Sequence, residues 1–385
     1  MTEKKPEFIY EERIKQLTLQ LKELRKKDLT LGILKLVLAI AGLLGLFHVF
    51  SRKPAFSFGL FGFCFLLFVI IAFLHETILK KSQFHRNLKT INENEIHMLH
   101  HRFPAKSRKG EEFKQPDHNY TSDLDIFGEK SLFHYINRAV TAVGRKWLAQ
   151  WLQTQAETEE IKKRQEAVNE LSGKPDLRQT IAAHGMQMDD TSQKLESLYQ
   201  LLKEPFTILH RKGLTVFLHV WPVITLGAAV LIFFQVSWLV LLGFILSQML
   251  INKPFAKRVT HLYNLTYRSH NILRAYALII AEIENAHCSS EKMSRLKKQL
   301  SNDGETASVC IRKLSNLLEY FDARNGSLHI LFNNTLFWDL HCVYRVEKWR
   351  KKAAAHVPQW FDVIGEFEAL SGLAALYFNH PHWTL

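Results

Sequence analysis

Four stretches of the chain are nearly devoid of polar residues, at 29–50, 56–74, 214–234 and 236–251. About 20 residues of helix cross the hydrocarbon core of a bilayer, so each run is read as a span. The runs come in pairs. Ser51, Arg52, Lys53 and Pro54 mark the turn inside the first pair, and Gln235 and Ser237 the bend inside the second. Two transmembrane helical hairpins, four spans in all, are therefore expected. A single apolar run also fits a buried helix of a soluble protein, but four paired runs with central turn residues do not. A cleaved signal peptide is excluded for the first run, because a charged segment of nearly thirty residues precedes it and a second apolar run follows.

Elsewhere the apolar positions recur at helical spacing. Ile14, Leu17, Leu21 and Leu24 form a near-heptad stripe in a charged helix, which would pair with Ile91, Ile96, Met98 and Leu99, pair with another chain, or stand as a solvated extension of the first span. Residues 105–119 are rich in Lys, Gly, Pro and Asp without periodicity and read as a linker. In 120–171, Leu132, Phe133, Ile136 and Ala139 share one helix face, and Trp147, Leu148, Trp151 and Leu152 another. Thr141 is placed to cap the second of these helices, and Gly144 in its first turn lets another backbone come close. A third helix starts at Thr158, with Ile161, Val168 and Leu171 inward and Lys162, Lys163 and Arg164 largely in water. Helices are predicted over 258–285, 307–320 and 328–352, with a last one opened by Pro358 and carrying Trp360, Phe361, Ile364, Phe367, Leu370, Leu373 and Leu376. Strand signals are few, so the fold class is all-α.

Charge adds an orientation to this pattern. Lys and Arg crowd 4–27, 80–89, 203–212 and 253–258, whereas the two bends carry only Arg52 and Lys53. By the positive-inside rule both termini and the polar segments lie on the cytoplasmic side of a multi-pass inner membrane protein. The net charge of +13 then reflects topology and anionic lipid before it reflects nucleic acid. None of the four runs holds paired carboxylates or a broken helix with buried charges, which argues against a transporter and for an anchor. Gly42, Gly45, Gly59 and Gly62 would let the first two spans approach closely.

Candidate chemistry is sparse. Glu93, His97, His100 and His101 would share a broad helix face, with metal binding as one reading and a polar juxtamembrane face as the better one. Cys64, Cys288, Cys310 and Cys342 have no paired spacing and read as ordinary thiols. Asp339, His341 and Cys342 point in different directions on a helix and make no triad. No G-x-x-x-x-G-K-[ST] phosphate loop occurs. No catalytic, cofactor or metal residue is therefore assigned.

The run LDIFGEKSLFHYINRAVTAVGRKWLAQWL, followed by EEIKKRQEAVNEL, resembles the start of the core and lever region of the MutS family of DNA mismatch repair ATPases. The lead-in is Asp125, Phe127 and Gly128, followed by Leu132 and by a helix ending at Asn137 and Arg138. Thr141, Gly144 and Arg145 form the turn, and Leu148, Trp151 and Leu152 continue the next helix. Ile161, Arg164, Gln165 and Val168, with Ala167, complete the pattern. The closing FEALSGLAALYFNHPHW is similar to the helix that leads from lever to ATPase domain in that family. Phe127, Gly128 and Glu129 match the family's Phe-x-Glu mismatch wedge by letter, but they lie in the core lead-in, so mismatch-specific recognition is not expected.

The apolar runs place the protein in a lipid bilayer, and the resemblance implies a homodimer acting on double-stranded DNA, with ATP and Mg held only by a further domain beyond residue 385. The expected organisation is an N-terminal cytoplasmic helix (1–28), a first membrane hairpin (29–78), a juxtamembrane helix and linker (79–119) and MutS-like core helices (120–205). A second membrane hairpin (206–255), lever-like helices (256–357) and a helix toward the ATPase domain (358–385) complete it. Two functions remain: the membrane and lever portion of a MutS-like ATPase, or a non-enzymatic membrane scaffold that keeps a MutS-type core.

Overall fold

A computed structural model describes residues 5–49, 54–104, 107–188, 192–204, 212–231, 237–302, 304–326 and 329–384. The bend residues Ser51, Arg52, Lys53 and Gln235, and Arg211 before the second hairpin, lie outside them. Two very long helices open the chain, α1 (Pro6–Val49) and α2 (Pro54–Leu99), packed against each other along their length as an antiparallel hairpin. The charged N-terminal stripe and the first apolar run are thus one helix. Leu24 and Met98 are buried, and the pair His75 Nε2 to Asp28 at 2.6 Å ties the two helices near the middle. The heptad stripe of α1 accordingly meets α2 of its own chain.

The helical body follows as α3 (Leu132–Ile136), α4 (Ala142–Gln153), α5 (Thr158–Ser172), α6 (Pro175–Gly185) and α7 (Ser192–Lys203). The second apolar pair gives α8 (Lys212–Leu231) and α9 (Trp238–Asn252). Then come α10 (Ala256–Thr266), α11 (Ser269–Asn285), α12 (Glu291–Lys298), α13 (Ala307–Asp322), α14 (His329–Leu336), α15 (Trp338–Ala353) and α16 (Val357–Asn379). A two-residue antiparallel pair, β1 (Ser301–Asn302) and β2 (Glu305–Thr306), closes a turn before α13. The fold is helical, as the spacing of apolar residues dictates.

Among the described residues, three helices are long and apolar enough to cross a membrane: Pro6–Gly45, Gly59–Leu99 and Leu239–Thr266. The remaining apolar run lies in α8, where Val216–Ala228 is a shorter apolar stretch with Pro222 inside it. Along the apolar half of the first hairpin, Leu36, Val37, Leu43, Phe63, Phe65 and Phe73 face outward and are more than half exposed. Gly42 and Gly45 do face α2, where an added Cβ would lie 3.6 Å from Cys64 and 3.4 Å from Leu60, but Gly59 and Gly62 have nothing within 4 Å.

Two expected helices are broken. The run 258–285 divides at Arg268 and the run after 328 divides at Phe337, both with left-handed backbone (φ 57° and 51°). Phe337 is wholly buried and packs 5.9 Å from the Phe217 ring, so burial of a large ring holds an unfavourable backbone in place. The polar stretch after Cys288 contains α12, whose Met293 and Leu296 are buried. Residues 107–119 are no free linker, because Phe113 packs on Phe127 and Phe133 and its carbonyl accepts a bond from Gln153 Nε2 at 2.9 Å.

The core is organised around α16. Trp360, Phe361, Val363, Ile364, Phe367 and Leu370 are buried against α5, α11 and α12 on one side and α4 on the other. Tyr276 of α11 meets Phe361 edge-on at 4.8 Å. A smaller cluster of Ile126, Phe127, Phe133, Ile136, Leu148 and Ala149 packs on Ala369 of the same helix.

Candidate functional site

The junction of the first hairpin, the α3–α4 loop and the C-terminal half of α16 concentrates the buried polar side chains of the molecule. It begins at Thr141, the residue before α4, whose hydroxyl accepts from Gly144 N at 2.9 Å and so caps the helix. Glu368 of α16 reaches the same turn and accepts from Val140 N and Thr141 N at 3.2 Å each and from the Thr141 hydroxyl. A carboxylate on the N-terminus of α4 satisfies free amides and meets the positive end of the helix dipole. The contact requires small residues. A Cβ at Gly144 would fall 2.0 Å from Glu368 Oε2, and one at Gly365 would fall 2.2 Å from Trp147 Cδ1.

Arg138 leaves the same loop toward the hairpin. Its Nε donates to Glu95 Oε1 at 2.5 Å and its Nη2 to Glu95 Oε2 at 3.0 Å, a two-pronged pair from the loop to α2. Nη1 donates to Tyr135 O at 2.7 Å. Asn379, the last residue of α16, donates to Glu95 Oε2 at 2.9 Å and accepts from the buried Tyr10 hydroxyl of α1 at 2.7 Å. Burial opposes charge on Glu95, but the Arg138 guanidinium and the hydrogen bonds from Arg138 and Asn379 outweigh it and hold the carboxyl below its usual range. Arg138 is raised, its burial offset by Glu95. Further along, Asn92 and Gln179 exchange amide hydrogen bonds at 3.0 Å, and Arg13 donates to Gln179 Oε1 at 2.8 Å and to Asp176 Oδ1 at 2.6 Å. Both helices of the hairpin are therefore fastened to the body by directional bonds.

A second polar knot lies on the far side of α16. Lys292 of α12, fully buried, pairs with Glu160 of α5 at 2.6 Å and Glu366 of α16 at 2.5 Å. Arg164 stacks over the Trp151 ring at 4.0 Å and bonds Glu160 at 2.9 Å. Nearby, Glu170 of α5 accepts from Ser289 N, Ser290 N and the Ser290 hydroxyl before α12. Burial works against charge there, but Lys174 and the serine donors pull the Glu170 carboxyl from 4.5 to about 2.

The sequence model of MutS domain III matches residues 114–323, more than half of the chain. The chain belongs to the MutS family. No curated protein and no solved structure gives a match. The matched region holds the Arg138, Thr141 and Gly144 turn and Glu160 and Lys292 of the second knot, while Glu95, Glu366 and Glu368 approach from outside it.

Most of the MutS pattern lies in these contacts. Arg138, Thr141, Gly144 and buried Arg145, whose Nη1 donates to Val140 O at 3.0 Å, build the turn, and Asn137 Oδ1 accepts from Ala139 N. Trp151 and Arg164 belong to the second knot, and Phe127, Leu148 and Val168 are core residues. Leu152 packs on the small cluster and its carbonyl accepts from Tyr120 at 2.9 Å. Gly128 has φ 119°, a conformation for which glycine is suited.

Four pattern residues stand apart. Leu132 and Ile161, expected inward, are 41% and 43% exposed, since each sits in the first turn of its helix before the buried face begins. Asp125 is exposed with φ 48°, and Gln165 is half-buried on α5. Thr158 does not cap α5, which starts from Glu157 without a side-chain cap bond. The Phe127 ring is buried, 6.0 Å from Phe113 and 5.5 Å from Phe133, so its match to a wedge residue is a packing feature.

Other candidates separate in space. His100 pairs with Glu7 at 2.7 Å and His101 stacks on Tyr135, and among the described residues no group of three or more His, Cys, Asp or Glu is placed to hold a metal. His341 bonds Leu218 O while Asp339 pairs with His329 at 2.9 Å, and burial pushes the Cys342 thiol up to about 12. Glu95, Glu368, Tyr10 and Lys292 escaped sequence reasoning. The two glutamates Glu366 and Glu368 in the mostly apolar α16 were the one available signal.

Proposed function

We propose that this MutS-family chain is a membrane-anchored member whose core and lever-like helices transmit motion between the bilayer hairpin and the far end of α16. The observation that carries this reading is the shared anchorage at Asn379. Its side chain bonds Tyr10 of α1 and Glu95 of α2, so a displacement of α16 is delivered to both hairpin helices through short, buried bonds. Rigid helices joined by close-packed contacts pass displacement on with little loss. The α16 segment resembles the helix that feeds the ATPase domain in MutS proteins, which makes nucleotide-driven movement of the α16 end the natural input. ATP and Mg are assigned to that input. Double-stranded DNA held near the membrane by a dimer is the proposed load, without mismatch reading, since Phe127 is packed in the core.

The outward leucines and phenylalanines of the hairpin support the bilayer as the anchor, and the basic clusters support cytoplasmic termini. Two experiments test the reading. Alkaline carbonate should leave the protein in the membrane pellet, and a thiol-reactive, membrane-impermeant label should reach Arg52→Cys from outside intact cells but not Lys348→Cys; extraction into the supernatant, or the reverse labelling, defeats the anchor. Duplex DNA should bind detergent-solubilised dimer with an affinity that falls steeply with salt. Binding no tighter than that of a charge-matched unrelated membrane protein removes DNA as the load and leaves a scaffold.

A further inference from the structure

Helix α14 (His329–Leu336) has its polarity reversed. It buries no residue, and the side chains it turns outward are its large apolar ones, Ile330, Leu331 and Phe332, the first of them 72% exposed. Asn333 turns to the body instead, where its Oδ1 accepts from Asp339 N at 3.2 Å. Phe332 packs 5.9 Å from the Trp338 ring, whose Nε1 is spent on Tyr320 O at 3.1 Å. An apolar face turned away from the core is unfavourable in water and favourable against lipid, and tryptophan is at home where the two meet.

The place of α14 is fixed by α9. Gln248 lies within the apolar run 236–251 and is wholly buried, and its Nε2 donates to Thr335 O at 2.9 Å. One turn on, Asn252 Nδ2 donates to Asn333 O at 3.0 Å. Both acceptors belong to the last turn of α14, whose carbonyls have no partner within the helix. Away from water such carbonyls need a protein donor, and α9 supplies two. Beside this contact Leu246, Met249 and Leu250 of α9 and Asn334 of α14 border a cleft of about 490 Å³. Lys253, Lys257 and Arg258 follow at once, all exposed, and no acidic residue occurs between Glu204 and Glu282. That charge suits a helix leaving a bilayer among anionic headgroups.

We propose that α14 is an interfacial helix, seated in the cytoplasmic leaflet with Ile330, Leu331 and Phe332 among the acyl chains near the glycerol level. Lipid, and not a second copy of the chain, occupies this surface, because it adjoins the exposed Leu246, Met249 and Leu250 of the membrane-crossing α9 and is edged by lysine and arginine. This seat rests on the membrane-anchor reading of the two hairpins and adds lipid contact to the segment between α13 and α15. A helix of the lever-like region is thereby held by the bilayer directly.

Photolabelling from the lipid tests it. The full chain is placed in nanodiscs of phosphatidylcholine and phosphatidylglycerol that carry a photoactivatable phosphatidylcholine, its diazirine either near the ester carbonyl or at the tail end of one acyl chain, and the adducts are mapped by peptide mass spectrometry. The tail-end probe should label 33–45 and 239–250, and the carbonyl-end probe should label 329–336 as well. Neither should reach Leu124, an exposed apolar residue of the core lead-in. Ile330→Gln combined with Leu331→Gln removes only outward side chains and should lower the labelling of 329–336 several-fold while the spans keep theirs. Labelled spans beside an unlabelled α14, whether a second copy or water covers it, overturn the proposal and leave the anchor standing. So does labelling of α14 that the double variant leaves unchanged, or that Leu124 equals. If 33–45 and 239–250 are themselves unlabelled, the anchor reading fails and the seat of α14 with it.

Discussion

The two ends of the first hairpin obey opposite solvent rules. In its apolar half, leucine and phenylalanine point outward and polar atoms are scarce; Leu36 is 61% exposed and Phe73 68%. In its basal half the outward face is charged, and Tyr10, Asn92 and Glu95 point inward, at 5% exposure or less, to meet Asn379, Gln179 and Arg138. One pair of continuous helices thus passes from a region held by nonspecific apolar contact to one held by directional bonds. The first geometry tolerates sliding and rotation in a fluid solvent. The second fixes register, because a hydrogen bond is lost within a fraction of an ångström of misplacement.

The difference between the halves can be broken or sharpened by substitution. The largest effect is expected from Glu95→Ala, which strands the part-buried Arg138; about 3–5 kcal/mol of stability should disappear in a denaturant titration of the solubilised protein. Leu148→Ala in the core, where the side chain is 1% exposed, should cost about 2–5 kcal/mol by the same measurement. Acidification gives a smaller, graded loss at the Glu170 cap. Its folded pKa is depressed to about 2 from 4.5, so its contribution is complete above pH 4.5 and fades as the pH falls toward 2. Glu170→Gln should flatten that part of a stability-against-pH curve, and an unchanged curve would remove the cap from the account of α12. The smallest effect belongs to Leu36→Ala in the apolar half, expected within roughly 0.5 kcal/mol in detergent. A cost at Leu36 equal to that at Leu148 would erase the distinction between the halves.

How much of this was legible in the sequence follows the same division. The helices and the apolar runs were visible because periodicity and length are local properties. Thr141 as a cap and Gly144 as a point of close approach were also visible, since both act within one turn. Breaks at Arg268 and Phe337 were hidden, because tertiary burial of Phe337 overrides what its neighbours prefer. The junction was least legible of all. Tyr10 and Asn379 are 369 residues apart, and nothing in a hydrophobic pattern indicates which polar residue on a helix face will find a buried partner. The exposure of Leu132 and Ile161 shows the limit of the family pattern too, which marks residues without saying which of them are buried.

Hydrogen exchange of the full chain in lipid nanodiscs, compared between wild type and Glu95→Gln, tests the central claim most directly. In the wild type, the amides of 33–45 and 60–74 should be the slowest of the hairpin, shielded by lipid, and the last turns of α16 should be protected by the junction. Glu95→Gln should speed exchange together at the start of α1, the end of α2 and the end of α16, and leave 33–45 and 60–74 unchanged. Fast exchange of the apolar halves in lipid, or an α16 end indifferent to the loss of the Glu95 charge, would contradict a bilayer hairpin locked to the MutS-family core at Asn379.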